Sequence, residues 1–279
     1  MRTEAVEDYL KAIYLVDAER GEVTTQVLAE RLGVAAPSAT GMLKKLAELK
    51  LVKHEPYHGV GLTAAGRKIA LEVIRHHRLL ELYLAEALGY SWDKVHAEAE
   101  KLEHHISEEF EDKIAALLGD PVTDPHGDPI PAKDGTIPPQ NSMRLPEAEA
   151  GESVTIARVA AQDAQQLTYL GSLGIRPEAS LTLVAKAPFD GPVHLRIGGA
   201  SHHVGLNLAR QIFIKRSKAK GDAESFRPRT TGPSTRDWAL NREPREIHEP
   251  QQGAKKPRII QPRMDTDEHR SKGESGNER

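Results

Sequence analysis

The stretch His96-Ala-Glu-Ala-Glu-Lys-Leu-Glu-His-His105 constrains the fold more than any other part of the chain. Offsets of three and four residues put His96, Glu100, Glu103 and His104 on one helical stripe, where they can converge. Val95, Ala99, Leu102, Ile106 and Phe110 form an apolar stripe beside it. Such a helix buries one face and offers the next. That second face suits a solvated Glu/His surface, or a seat for a divalent metal built from two carboxylates and two imidazoles. Ser91 stands where it can cap this helix, with Asp93 near its positive end.

The chain has 279 residues, enough for two small domains and a tail. Its formal net charge of -3 argues against a uniformly basic nucleic-acid binder but leaves room for a local basic surface. Cysteine is absent, which removes disulfides, thiolate metal sites and cysteine nucleophiles together. The charged N-terminus has no apolar run before a cleavage site, and no apolar stretch reaches the roughly 20 residues that span a bilayer. A soluble, cytoplasmic protein with no membrane partner is expected.

Residues 1–63 read as a helical segment closed by a hairpin. Val6, Leu10, Ile13 and Tyr14 give the first amphipathic helix, and Val27, Leu28 and Leu32 a second that stops at Gly33. Pro37 and Ser38 fit the first turn of a third helix, with Ala39, Met42, Leu43 and Leu46 on its inner side. Residues 51–63 hold two short β-like runs around a Gly-containing turn, the pattern of a wing. Residues 64–118 read as a helical metal-binding domain, beginning with a long helix to about Leu88. Residues 119–151, which contain Asp-Pro-Val-Thr-Asp-Pro-His-Gly-Asp-Pro-Ile-Pro, are rich in turn formers and read as a linker. Residues 152–216 contain short alternating runs, Val154–Val159, Leu181–Ala185, Val193–Ile197 and Gln211–Lys215, which suit a small antiparallel β-barrel. Residues 217–279 carry few aliphatics and are expected to be a disordered tail. Within it, Arg227-Pro-Arg and Lys255-Lys-Pro-Arg are either solvated or weak DNA contacts.

Two constellations carry chemistry. The third helix places Pro37, Ser38, Thr40 and Gly41 on an outward N-terminal face, with Lys44 and Lys45 one turn later. Such a face can enter a DNA major groove, the lysines meeting phosphates. An ordinary helix pair has the same spacing. The second constellation gathers Asp8 on the first helix, His77 and Glu81 four apart on the long helix, and His96, Glu100, Glu103 and His104. Glu-x-x-Glu-His departs from the His-x-x-Glu-His zinc-protease pattern at position 100. Lys101 stands where a di-iron motif needs glutamate. The chain is therefore not read as an enzyme. A metal-dependent hydrolase or a metal-buffering protein without sequence-specific DNA binding is the alternative, and the winged pattern argues against buffering.

Glu7-Asp-Tyr-Leu-Lys-Ala-Ile-Tyr14, Leu62-Thr-Ala-Ala-Gly66, Arg75-His-His-Arg-Leu-Leu-Glu81, Lys94-Val-His96, Glu103-His104 and Gly127-Asp-Pro-Ile-Pro131 resemble the diphtheria-toxin-repressor/MntR family of metal-dependent transcriptional regulators. The resemblance covers the chain to about residue 140, and the β-rich segment resembles the FeoA-like barrel of longer members. It implies a homodimer, joined through the helical domain, that binds palindromic double-stranded operators when loaded with Mn²⁺ or Fe²⁺ and represses metal-uptake genes. It implies a primary site of Asp8, Glu100, Glu103 and His104, and an ancillary site of His77, Glu81 and His96 completed by Asp163 and Gln166. Asp124 and His126 of the linker are second-rank ligands. Iron-type members carry sulfur ligands at the positions of Asp8 and Glu100. Oxygen there favours Mn²⁺, with Fe²⁺ second. Lys11 stands where short manganese regulators have a ligating glutamate.

Overall fold

A computed structural model describes residues 3–55, 59–161 and 163–216. The hairpin tip and the tail, with its two basic clusters, lie outside the described residues. Helices α1 (Glu4–Arg20), α2 (Thr25–Leu32) and α3 (Ala36–Glu48) are followed by the hairpin strands β1 (Val52–Glu55) and β2 (Gly59–Leu62). The Thr24 side chain accepts from the Val27 N–H at 3.2 Å to start α2, and Gly33, at φ 64°, ends it in the left-handed conformation that glycine adopts without strain. Leu10, Ile13, Leu28, Leu43 and Leu46 are fully or almost fully buried in one core. Each contributes roughly 1.5–3 kcal/mol of burial. Helix α1 supplies Leu10 and Ile13 to the same core as Ala39, Leu43 and Leu46 of α3, so the two helices are packed into one body. The hairpin pairs Val52 with Leu62, and Val60 N–H donates to Val23 O at 2.9 Å, which ties the wing to the α1–α2 turn.

Helix α4 (Ala64–Glu86) starts on Thr63, whose side chain accepts from Gly66 N–H at 3.1 Å. It packs on α1, on α5 (Val95–Leu102) and on α6 (Glu108–Leu117). Two expectations fail here. Ser91 does not cap α5: its carbonyl accepts from Lys94 N–H in a preceding turn, and the helix begins after Lys94 with no side-chain cap. The apolar stripe does not run through. The helix ends at Leu102, a turn follows, and Ser107 caps α6 by accepting from Phe110 N–H at 3.2 Å. Val95 and Ala99 are buried, whereas Leu102 and Phe110 are exposed.

The C-terminal part is one antiparallel sheet in the order β3-β8-β4-β5-β6-β7. Its strands are β3 (Met143–Arg144), β4 (Ser153–Val159), β5 (Ser180–Lys186), β6 (Val193–Ile197), β7 (Ala200–Val204) and β8 (Ile212–Arg216). Helices α7 (Ala164–Ser172) and α8 (Leu206–Ala209) complete it. Side chains from the sheet, from α7 and from Leu145 and Ala148 fill a single core. Strand β3 and Leu145 thus bring residues of the stretch read as linker into the β-rich part, and β7 and α7 add elements that the alternating runs did not reveal. No described ladder joins β3 to β7, so the sheet is antiparallel as expected but not hydrogen-bonded into a closed cylinder. Among the described residues no helix is long and apolar enough to cross a membrane.

Candidate metal centre

Three elements bring the ligand-type side chains together. Helix α1 presents Glu7, Asp8 and Lys11, α4 presents His77 and Glu81 one turn apart, and α5 with its following turn presents His96, Glu100, Glu103 and His104. They form two clusters that meet at His77.

In the first cluster His104 Nε2 lies 2.9 Å from Asp8 Oδ1 and 3.4 Å from Glu103 Oε1. Asp8, Glu103 and His104 each offer an atom within 4.8 Å of the others, the spread of ligands around a single ion. The other imidazole nitrogen, Nδ1, is held by the Glu7 carboxylate, which fixes the ring's orientation. Glu100 does not join: its side chain is 54% exposed and lies 3.3 Å from Lys11 Nζ and 3.8 Å from His96 Nε2.

In the second cluster His77 Nε2 lies 3.0 Å from Glu81 Oε1 and 2.9 Å from His96 Nδ1. The second oxygen of Glu81 lies 3.6 Å from His126 Nδ1, and Asp124 completes a buried group with these two. His126 Nε2 donates to the Trp92 carbonyl at 2.9 Å, which leaves Nδ1 facing Glu81. The stripe read from the sequence is therefore divided. His96 serves the second cluster, and the turn after Leu102 swings Glu103 and His104 towards α1.

Asp163 and Gln166 are not brought to either cluster. Both are exposed, and Asp163 caps α7 by accepting from Gln166 N–H at 2.9 Å. The linker supplies Asp124 and His126 instead. Asp124 Oδ1 accepts from the N–H groups of His126 and Asp128 at 2.8 and 2.9 Å, which folds Asp-Pro-His-Gly-Asp into a tight turn. Gly127 sits at φ 86°, and a Cβ there would lie 2.2 Å from Ala157 O, so only glycine lets this turn press against β4. Val159 N–H donates to His126 O at 2.9 Å, and Arg78 donates to Pro129 O.

Charge and burial oppose each other throughout the centre. Burial would raise Glu81, but His77, His126 and His96 hold it well below the usual carboxylate range. Burial would likewise raise Glu103, and His77 and Lys11 pull it down. Burial would lower His126, yet Glu81 and then Asp124 push it up to about 9. His77 is also raised against burial, chiefly by Glu81. Asp124 is pushed well above the usual range by burial, then by Glu81 and Asp128, and Asp8 is raised by burial.

Sequence reasoning missed Glu7 and the network under Glu103. His76 Nδ1 lies 3.1 Å from Glu103 O and Nε2 3.2 Å from Glu111 Oε2, and Glu111 also pairs with Arg75. With both nitrogens engaged, His76 acts as a strut between α4, α6 and the Glu103 turn, although Glu72, His76 and Glu108 have metal-like spacing. On α3, Pro37, Ser38, Thr40, Gly41, Lys44 and Lys45 are all exposed, while Ala39, Leu43 and Leu46 are buried behind them. Thr40 Oγ1 donates back to Ala36 O at 2.9 Å.

Residues 1–60 match the iron dependent repressor N-terminal DNA-binding domain, 63–132 the iron dependent repressor metal-binding and dimerisation domain, and 143–216 the FeoA domain. The chain is 31% identical over 192 residues to the iron-dependent repressor IdeR of Mycobacterium tuberculosis, covering 64% of this chain and 84% of that protein. It is 41% identical over 108 residues to the transcriptional regulator MntR of Escherichia coli O157:H7, covering 39% and 69%. Among solved structures it resembles a manganese-dependent transcriptional repressor in complex with manganese, with 41% identity, a TM-score of 0.71, and coverage of 76% of this chain and 100% of that one. The manganese regulator SloR is similar at 30% identity and a TM-score of 0.66, covering 76% of this chain and 98% of that one.

Proposed function

The chain belongs to the iron-dependent repressor family and is a metal-responsive DNA-binding regulator, and from that premise we propose that it is a manganese-gated repressor of metal-uptake genes. The observation that carries the reading is the joining of Asp8 on α1 to Glu103 and His104 at the end of α5. Asp8, Glu103 and His104 form the primary site. His77, Glu81, His96 and His126 form the second, with Asp124 holding the His126 turn in register and available as a further oxygen. Every donor is a carboxylate oxygen or an imidazole nitrogen. That set fits a hard divalent ion such as Mn²⁺, with Fe²⁺ the next candidate.

A bound ion supplies the positive charge that lets these buried carboxylates and neutral imidazoles pack without protons. The rest is done by the protein. Asp8 sits on the helix whose Leu10 and Ile13 seat α3, so fixing Asp8 against α5 fixes the recognition helix against the helical domain. Family members dimerise. We assign the contact to the exposed apolar residues of α5 and α6, Leu102, Phe110 and Leu117. In such a dimer two α3 helices set about one DNA turn apart, roughly 34 Å, read a palindrome. The switch acts only through the difference in metal affinity between the open and fixed arrangements. Localisation to the cytoplasm follows from the site of transcription in a cell that uses such a regulator.

Capture of sheared genomic DNA by the purified protein, with Mn²⁺ and with chelator, tests the reading. A few palindrome-containing promoters enriched only with metal are expected. Equal recovery in both conditions would mean that the metal sites do not gate DNA binding.

Two narrower results are expected. Lys44→Ala with Lys45→Ala should weaken binding to all sequences alike and lower the slope of log affinity against log salt by about 2, if each contacts one phosphate. An unchanged slope in a salt titration would remove both lysines from the interface. His126→Ala should weaken Mn²⁺ binding at the second site about 10- to 100-fold. Asp163→Ala should leave it unchanged and cost only a helix cap, about 1 kcal/mol. Calorimetric titration separates them, and an equal loss in Asp163→Ala would return the ligand to the β-rich part.

A further inference from the structure

Lys11 is 8% exposed and its ammonium lies inside the metal centre. Nζ is 2.8 and 2.9 Å from the two oxygens of Glu103, 3.3 Å from Glu100 Oε1 and 3.2 Å from His77 Nδ1. Three carboxylate oxygens and an imidazole nitrogen around one cation are the donors that a divalent ion would recruit. The two residues it touches most closely belong to different clusters. Glu103 faces His104 and Asp8, while His77 turns its other nitrogen to Glu81 and His96. Glu103 touches both His77 and His104, so it stands on the boundary between the clusters. A carboxylate with one oxygen for each of two ions is the usual bridge of a paired-metal site, where the ions are roughly 3.5–4 Å apart. Here both Glu103 oxygens are already engaged by a positive charge on a stem rooted in α1.

We propose that the Lys11 ammonium is a built-in counter-cation that occupies the space between the two clusters and excludes a further divalent ion there, so that each cluster keeps a single ion and Glu103 does not bridge a pair. The inference rests on the reading of both clusters as metal sites. A lysine suits this role because its charge is compact and its three donors can meet several oxygens at once. It also explains why Glu100, which has the right position on α5, is drawn to Lys11 and stays outside the Asp8–His104 group. The ammonium neutralises Glu103 in the metal-free protein, so the site's shape persists without an ion. A further divalent cation at the Glu103–Glu100 edge would have to displace Lys11 from a buried position or stand in contact with a like charge.

The test counts Mn²⁺ per protomer by equilibrium dialysis and records low-temperature electron paramagnetic resonance at saturation. Wild type and Lys11→Arg, which keep the charge, should give isolated-ion spectra with no exchange-coupled pair. Lys11→Met, which keeps the stem and removes the charge, should bind about one further Mn²⁺ per protomer and develop the multiline signal of a carboxylate-bridged pair. Lys11→Gln serves the same purpose where the methionine variant does not give a folded dimer by circular dichroism and size-exclusion chromatography. A coupled pair in the wild type, or an unchanged count and spectrum in a folded neutral variant, would overturn the proposal. A different failure would strike the ligand assignment itself and the proposal with it: Glu103→Gln and His77→Ala binding as much Mn²⁺ as wild type.

Discussion

Replacing Glu103 with alanine is expected to abolish Mn²⁺-dependent DNA binding and, separately, to destabilise the metal-free protein by about 3–5 kcal/mol. The two effects have different origins. Loss of metal response follows because Glu103 is the carboxylate that faces both Asp8's partner His104 and the cluster boundary at His77. Loss of stability follows because Glu103 is 2% exposed and carries the Lys11 ammonium at 2.8 Å. Truncation leaves that charge buried, with only the half-exposed Glu100 carboxylate and an imidazole as partners. A sequence view alone would expect a folded dimer that merely ignores metal. His104→Ala isolates the first effect. It removes a primary ligand but leaves Lys11 paired with Glu103, so its metal response should fail with a smaller change in stability. Urea unfolding in chelator, beside operator binding with and without Mn²⁺, reads both quantities. A Glu103→Ala protein as stable as His104→Ala would mean that Lys11 relaxes to solvent on its own. One that still bound operator only with Mn²⁺ would remove Glu103 from the site.

How much of this was visible in the residues depends on how local each cause is. Helices α1 to α3 were legible because their apolar spacing, the Gly33 stop and Pro37 in a first turn all act within a few residues. The donor types were legible too: His77 and Glu81 are four apart on one long helix, and they do meet. The division of His96 from Glu103 and His104 was not. Helical spacing puts them on one stripe only if the helix continues, and the helix stops at Leu102, where the Glu103 turn is braced by His76 from α4. That brace is a tertiary contact with no trace in the α5 sequence. The placement of His126, and not Asp163, beside Glu81 was equally non-local. Asp163 and Gln166 occupy each other as cap and first turn, whereas His126 is carried inward by a Gly127 turn that fits only because β4 lies against it. Strand β3 is two residues long, too short for any period to register, and its pairing with β8 is what defines it.

Metal-free stability and Mn²⁺ affinity should move in opposite directions between about pH 6.5 and 9. His126 ordinarily titrates at 6.5 and is pushed up to about 9 in the folded chain. A group whose folded pKa is raised contributes its stability fully below the unfolded value and loses it as pH rises through the folded one. The protonated His126–Glu81 contact therefore stabilises the metal-free protein up to about pH 6.5 and fades towards 9, an effect on the order of 3 kcal/mol at most. His77 is raised in the same sense. Glu81 is held well below its ordinary 4.5, so its share is lost only as pH falls below that value and does not change across this window. Metal binding runs the other way, because a ligating imidazole must shed its proton. With His126 carrying a proton to be displaced, apparent Mn²⁺ affinity at the second site should rise about 10-fold for each pH step of one at the acid end of the window. Thermal unfolding under anaerobic conditions at pH 6.5 and 8.5, in chelator and in fixed Mn²⁺, measures both trends. The chelator Tm should fall and the Mn²⁺-induced gain should grow. His126→Asn should flatten much of each trend while preserving the turn, since an amide does not titrate. A chelator Tm that rises over this range, or a metal-induced gain that stays constant, would mean that the imidazole protons are not linked to the ion and that His126 is a structural partner of Glu81 alone.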